Sequence, residues 1–159
     1  MFLGLGGSSW QQAHFGGEAD NPLMAGWEAD PDQDGASNLL EYAFNLSPLQ
    51  ADLTVLPPEA GSGTSGLPRI TVVQKPDGAV LSVRYLRLRD AALPGLAYIP
   101  EFCSGPDGGG DEAGSWITLS GPETVEPLGG GWERVTVEDL TAATIHAARF
   151  ARVRVTIMP

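Results

Sequence analysis

Apolar and polar residues alternate most cleanly near the end of the chain. Over residues 149–157, Ala151, Val153, Val155 and Ile157 fall on one side, and Arg152, Arg154 and Thr156 on the other. That period of two predicts a half-buried strand. Further strands are predicted over 69–74, 79–89, 96–103, 115–120 and 132–138, with "KPDGA", "GPDGGGDEAG" and "PLGGG" as turns. Within 79–89 the phase slips at Tyr85-Leu86, which predicts a bulge or a strand that bends between sheets. Short strands separated by turns, with no long helix, predict a mainly β fold: a small antiparallel β-sandwich over 69–159.

Upstream the period changes. Residues 8–17, "SSWQQAHFGG", predict a short helix with a Ser9–Gln12 capping box and a Gly16-Gly17 stop. In "DNPLMAGW", Asn21 is placed as an N-cap and Pro22 at the first helical position. Leu39, Leu40, Ala43, Phe44 and Leu46 recur at helical spacing, and Ser47-Pro48 is the expected stop. An apolar helix face this short needs a partner, so it is expected to pack on the sandwich through Leu39, Leu40, Ala43 and Phe44. A Pro/Gly/Ser-rich connector, 56–68, divides this helical segment (8–55) from the strands. Residues 1–7, "MFLGLGG", form an uncharged apolar tail. It is expected either to pack on its own domain or to add as a strand to a neighbour's sheet edge, giving a homopolymer.

Charge sharpens the picture because of where it lies. The chain carries a formal net charge of −11, and its first basic residue is Arg69. Before it come Glu18, Asp20, Glu28, Asp30, Asp32, Asp34, Glu41, Asp52 and Glu59. Unpaired carboxylates oppose folding unless cations neutralise them, and their sign disfavours a nucleic-acid partner. A solvated acidic face is the simplest reading.

One stretch asks for more than solvation. In "ADPDQDGASNLLEYAF", numbering from Asp30, carboxylates fall at positions one, three and five: Asp30, Asp32 and Asp34. Gly35 is sixth, Ala36 seventh with a backbone carbonyl to offer, Asn38 ninth and Glu41 twelfth. Calcium takes six to eight oxygens from a loop that curls around it, and this spacing meets the EF-hand loop pattern. The alternative is an acidic turn before an N-capped helix. Asp20 and Asn21 read as caps before they read as further oxygen donors. "DGGGDE" at 107–112 has glycine at its third position and no closing Glu, so it reads as a solvated turn.

The segment "W…HFG……ADPDQDGASNLLEYAFNLSP" resembles an EF-hand-like calcium module of secreted bacterial proteins, akin to dockerin and thrombospondin type 3 loops. The likeness to the loop covers about residues 10–48. It extends weakly into 69–159 through "AYIPEF", Trp116 and the closing "ARFARVRV". The chain has one complete loop where a dockerin carries two. The resemblance implies a secreted or cell-surface protein in which calcium serves the fold. A carbohydrate- or protein-binding module, or dockerin-like anchoring, is the alternative.

Other chemistry is thin. "GSGTSG" at 61–66 lacks the preceding strand and following helix of a dinucleotide site. His14 and His146 have no partner at a recognisable spacing, "NLS" at 45–47 is a sequon followed by proline, and no enzyme site emerges. Trp116, Trp132 and Tyr98 suit a sugar-stacking platform only if two of the rings lie coplanar and exposed. Cys103, the single cysteine, forms no intramolecular disulfide and reads as a buried apolar residue. No apolar run approaches the ~20 residues of a membrane span. The N-terminus lacks a signal-peptide pattern, which fits a cytosolic protein or a chain that begins after processing.

Overall fold

A computed structural model describes residues 7–58, 63–89, 95–103, 116–118, 122–140 and 149–157. It is mainly β. Helix α1 spans Gly7–Phe15 and runs into a 3-10 turn at Gly16–Glu18; α2 is Pro22–Ala25 and α3 is Asn38–Phe44. Among the described residues seven strands follow: β1 Arg69–Lys75, β2 Gly78–Leu88, β3 Leu96–Cys103, β4 Ile117–Thr118, β5 Glu123–Gly129, β6 Trp132–Glu138 and β7 Phe150–Ile157. They form two antiparallel sheets, ordered β1-β2-β6-β5 and β4-β3-β7.

The alternation of the sequence sets the faces. Val83 and Tyr85 of β2 lie opposite Val137 and Val135 of β6 and point into the core. From the other sheet, Leu96 and Phe102 of β3 meet them, with Ala151, Val153 and Val155 of β7 packed alongside. Helix α3 enters the same core through Ala43 and Phe44, with Leu39 and Leu40 against its margin, the four residues whose spacing demanded a partner. Tyr98 fixes the contact: its hydroxyl donates to the Ala43 carbonyl at 2.9 Å while its ring meets Phe44 and Tyr85 at 6.0 Å each.

Several expectations need correction. Strand β2 does not break at Tyr85-Leu86; its pairing with β6 runs in register from Ser82 to Leu88. The phase slip arises because both faces are covered: Tyr85 is 1% exposed and Leu86, on the opposite face, is 0%. The register shift lies instead in β5, between Pro127 and Gly129. That strand has no counterpart among the predicted ones. Pro127 and the glycines after it read as a turn, but an edge strand tolerates a residue without an N–H. The turn itself is Gly130-Gly131, both at positive φ (60° and 84°), as a two-residue hairpin demands. Helix α1 begins at Gly7, so Ser9 lies inside it and is not its N-cap; Gln12 donates forward to the Gly16 carbonyl at 2.9 Å. Helix α3 stops at Asn45, left-handed at φ 55°, ahead of Ser47-Pro48. Residues 1–6 of the tail, "DGGGDE" at 107–112, His146 and residues 115, 119 and 120 of the fourth predicted strand lie outside the described residues.

The connector is docked at both described ends. Leu56 donates to the Leu67 carbonyl (3.0 Å), Leu67 to that of Thr54 (2.7 Å), and Gly66 to that of Phe44 (3.0 Å). Gly66 has φ 134°, and a Cβ there would lie 3.0 Å from the Leu56 nitrogen. Asn45 adds a side-chain bond to the Thr64 carbonyl at 2.8 Å. These bonds fasten the end of α3 to the approach of β1.

Phe44 is 1% exposed where helix and sheets meet. Phe44→Ala should therefore lower stability by about 3–5 kcal/mol, the range for emptying a large aromatic site in a core. Chemical denaturation at constant ionic conditions measures it, and a loss within the scatter of surface substitutions would show that α3 is not part of the core.

Candidate metal centre

Local chemistry shapes the loop before any ion is considered. Asn21 caps α2, its side chain accepting from Leu23 N–H at 3.1 Å with Pro22 at the first helical position. Gly26 ends the helix so tightly that a Cβ would sit 2.3 Å from the Pro22 carbonyl oxygen. The loop's entry and exit are then stitched together: Asn38 N–H donates to Ala29 O (2.8 Å) and Leu39 N–H to Trp27 O (3.0 Å). Between them the chain reverses at Gln33 (φ 60°) and Gly35 (φ 97°). The second fulfils the glycine expected at position six.

Inside this turn the aspartates use one oxygen for the loop itself. Asp30 Oδ2 accepts from Gly35 N–H at 3.0 Å, Asp32 Oδ1 from Asp34 N–H at 3.2 Å, and Asp34 Oδ1 from Ala36 N–H at 2.9 Å. The other oxygens of Asp30 and Asp32 are buried without a hydrogen-bond partner. Ligand oxygens of Asp30, Asp32 and Asp34 all lie within 4.8 Å of one another, so the three carboxylates form a group able to hold a metal ion.

Glu41 makes the arrangement more than an acidic turn. It stands on α3 at 0% exposure, and neither carboxylate oxygen has a hydrogen-bond partner. A buried carboxylate without donors is heavily destabilised and must take up a proton or a cation. Burial first, then the charges of Asp32, Asp34, Asp30 and Asp52, push its carboxyl up to about 8. Asp32 is raised too, by burial first and then by Asp34 and Asp30, against the opposing bond from Asp34 N–H. Among the described residues no basic side chain pairs with any of these four carboxylates. Hard oxygen donors and no nitrogen or sulfur suit a hard cation.

The remaining predicted positions are accounted for individually. Ala36 is 2% exposed and buried against the loop. Asn38 is fully buried, and its amide nitrogen donates to the carbonyls of Met24 (2.9 Å) and Gly26 (2.7 Å), tying α3 to the end of α2. Its Oδ1 has no partner. Asp52, outside the loop pattern, is the residue that spacing missed. Its N–H donates to Asp34 Oδ2 at 3.2 Å, and its carboxylate accepts from Ser47 N–H at 3.3 and 3.4 Å. Only its membership of the unpaired acidic run pointed to it.

Aromatic rings wall the module. Trp10 of α1 stacks on Trp27 (5.8 Å between centroids, 19°), and both meet Tyr42 at 5.2 and 5.3 Å. His14 touches Trp10 at 4.7 Å. The three rings considered for sugar binding lie in different settings: Tyr98 packs against the core, Trp116 lies under the Arg152 guanidinium at 4.1 Å, and Trp132 opens β6.

Glu41→Gln separates an electrostatic role from a packing one. The amide matches the carboxyl in shape and carries no charge, so the metal-free variant should be more stable than metal-free wild type at neutral pH. Stabilisation by added divalent cation should disappear. Melting curves with chelator and with cation measure both, and a variant that keeps the full cation response would exclude Glu41 from the site. Comparison with known proteins gives no match to a family model, to a curated protein or to a solved structure.

Proposed function

We propose that this chain is a calcium-stabilised structural module of a secreted protein, in which the ion serves the fold. The observation that carries the reading is Glu41: fully buried, both oxygens without donors, beside three converging aspartates. In this reading Asp30, Asp32, Asp34 and Glu41 supply carboxylate oxygens and Ala36 a carbonyl. Asn38 braces the end of α2 through its amide nitrogen and offers its unpartnered Oδ1 to the ion, directly or through water. Calcium is favoured over magnesium because the many oxygens offered here suit a large, irregular coordination shell. Millimolar calcium outside cells suits such a site, and binding to the native state alone stabilises it by mass action.

Calcium at about 100 times its dissociation constant should add about 2.7 kcal/mol of stability. Melts in chelator and in calcium measure this. Terbium luminescence sensitised by Trp27, three residues before Asp30, reports binding directly. Superimposable melts together with no terbium signal would overturn the proposal.

A second reading, self-association by strand addition, has its own support. β1 is a sheet edge whose Ile70 and Val72 are 47% and 63% exposed, and it has neither proline nor bulge. Lys75, the charge that would guard it, is drawn to Glu138 of its own sheet at 2.8 Å. The opposite edge, β5, is blunted by Pro127 and a register shift. An extended apolar segment of a second copy would pair with β1, and repeated head to tail the contact yields a filament. Sedimentation should show wild type growing with concentration and Val72→Lys remaining monomeric. Wild type that stays monomeric throughout would remove this reading.

A further inference from the structure

Asp52 lies eleven residues beyond the loop's last position, where loop spacing assigns it nothing. Three observations draw it in. Its main-chain N–H donates to Asp34 Oδ2 at 3.2 Å, while Asp34 Oδ1 accepts from Ala36 N–H. Its side chain is placed by two long contacts to a single donor, Ser47 N–H, at 3.3 and 3.4 Å. Among the described residues its carboxylate accepts from Ser47 N–H and pairs with no basic side chain. The chain then runs from Asp52 through Thr54 and Leu56, which pair with Leu67 at the approach to β1.

On the reading that the loop holds calcium, we infer that Asp52 is a positioning residue of the site. It sets the site's affinity through its charge while it anchors Asp34. No basic side chain stands between Asp52 and the cluster in sequence, and the first one along the chain is Arg69. A fifth carboxylate therefore adds to the field that draws in a cation and makes the empty site harder to keep. It also ties the site to the seam between the helical segment and the sandwich, because the stretch that follows it, Thr54 to Leu56, is hydrogen-bonded to Leu67. Helix α3 carries one end of that seam, and Asp52 the other.

Asp52→Asn tests the charge and spares the geometry. An amide oxygen still accepts from Ser47 N–H, and the main-chain bond to Asp34 is untouched. Calcium affinity by calorimetry, cross-checked by terbium titration, should fall about three- to tenfold, with the deficit shrinking at high salt. Metal-free stability should hold or rise. Asp20→Asn removes the same charge from outside the cluster and should leave affinity at the wild-type value. A purely structural cap predicts the reverse pattern: Asp52→Asn equal to wild type, with Asp52→Ala alone impaired in chelator. That result, or equal losses from Asp20→Asn and Asp52→Asn, would overturn the inference. Wild type that binds neither calcium nor terbium would instead remove the calcium reading on which it rests.

Discussion

Glu41 sits three residues before Phe44 on a seven-residue helix, and those two side chains make opposite demands on it. Phe44, with Ala43, belongs to the core shared by both sheets and holds α3 in place. Glu41 is thereby carried into a fully buried position among aspartates, with no donor for either oxygen. The helix cannot tilt to bring the carboxylate back to water without withdrawing Phe44, and emptying such a site costs several kcal/mol. The charge must therefore be neutralised where it stands. A proton does so for Glu41 alone, and the raised carboxyl shows that it is held more tightly than on a solvated side chain. A cation does so for Glu41 and the aspartates together.

The connector makes this a property of the whole chain. Were 56–68 a free linker, strain around Glu41 could relax by undocking the helical segment. Instead the run from Thr54 to Leu56 is hydrogen-bonded to Leu67, Gly66 is bonded to Phe44, and Arg69 and Arg84 donate to the carbonyls of Leu56 and Pro58. Leu56 itself is fully buried. Undocking would expose it and break every one of these bonds. Helix, seam and sheets together hold the acidic loop in place.

Legibility in the sequence followed the range of the forces involved. The aspartate spacing, Gly35, the Asn21 cap and strands β3 and β6 follow from local rules, and all were readable. Features settled by distant contacts were not. Leu86 looks like a phase error until an opposite buried face is known. Pro127 looks like a turn until β5 is seen to be an edge. The Gly- and Ser-rich connector looks free because no sequence signal announces that its main chain will be used as a ladder. Asn38 shows what spacing alone leaves out: its amide nitrogen braces two carbonyls of the preceding turn, while the oxygen that its ninth position offers has no partner. Asp52 was invisible to any loop pattern because it reaches the site through the fold.

Charge placement supplies the last step. All nine basic residues lie at or beyond Arg69, and seven of them make ion pairs within the strand region. Lys75 takes Glu138, Arg87 takes Glu123 and Glu133, Arg89 shares Glu133, and Arg134 takes Glu126. Arg149 holds buried Asp139, while Arg152 and Arg154 converge on Glu101. Burial alone would raise the Glu101 carboxyl, but hydrogen bonds from these two arginines outweigh it and hold the group below its ordinary value. Arg69 and Arg84 spend their guanidinium groups on carbonyls. The basic residues are thus spent within the strand region and its approach, and among the described residues none reaches the loop carboxylates. Paired carboxylates in the strands and unpaired ones around Glu41 follow from the same sequence asymmetry. Any positive charge that neutralises the cluster, proton or metal ion, is one that solution supplies.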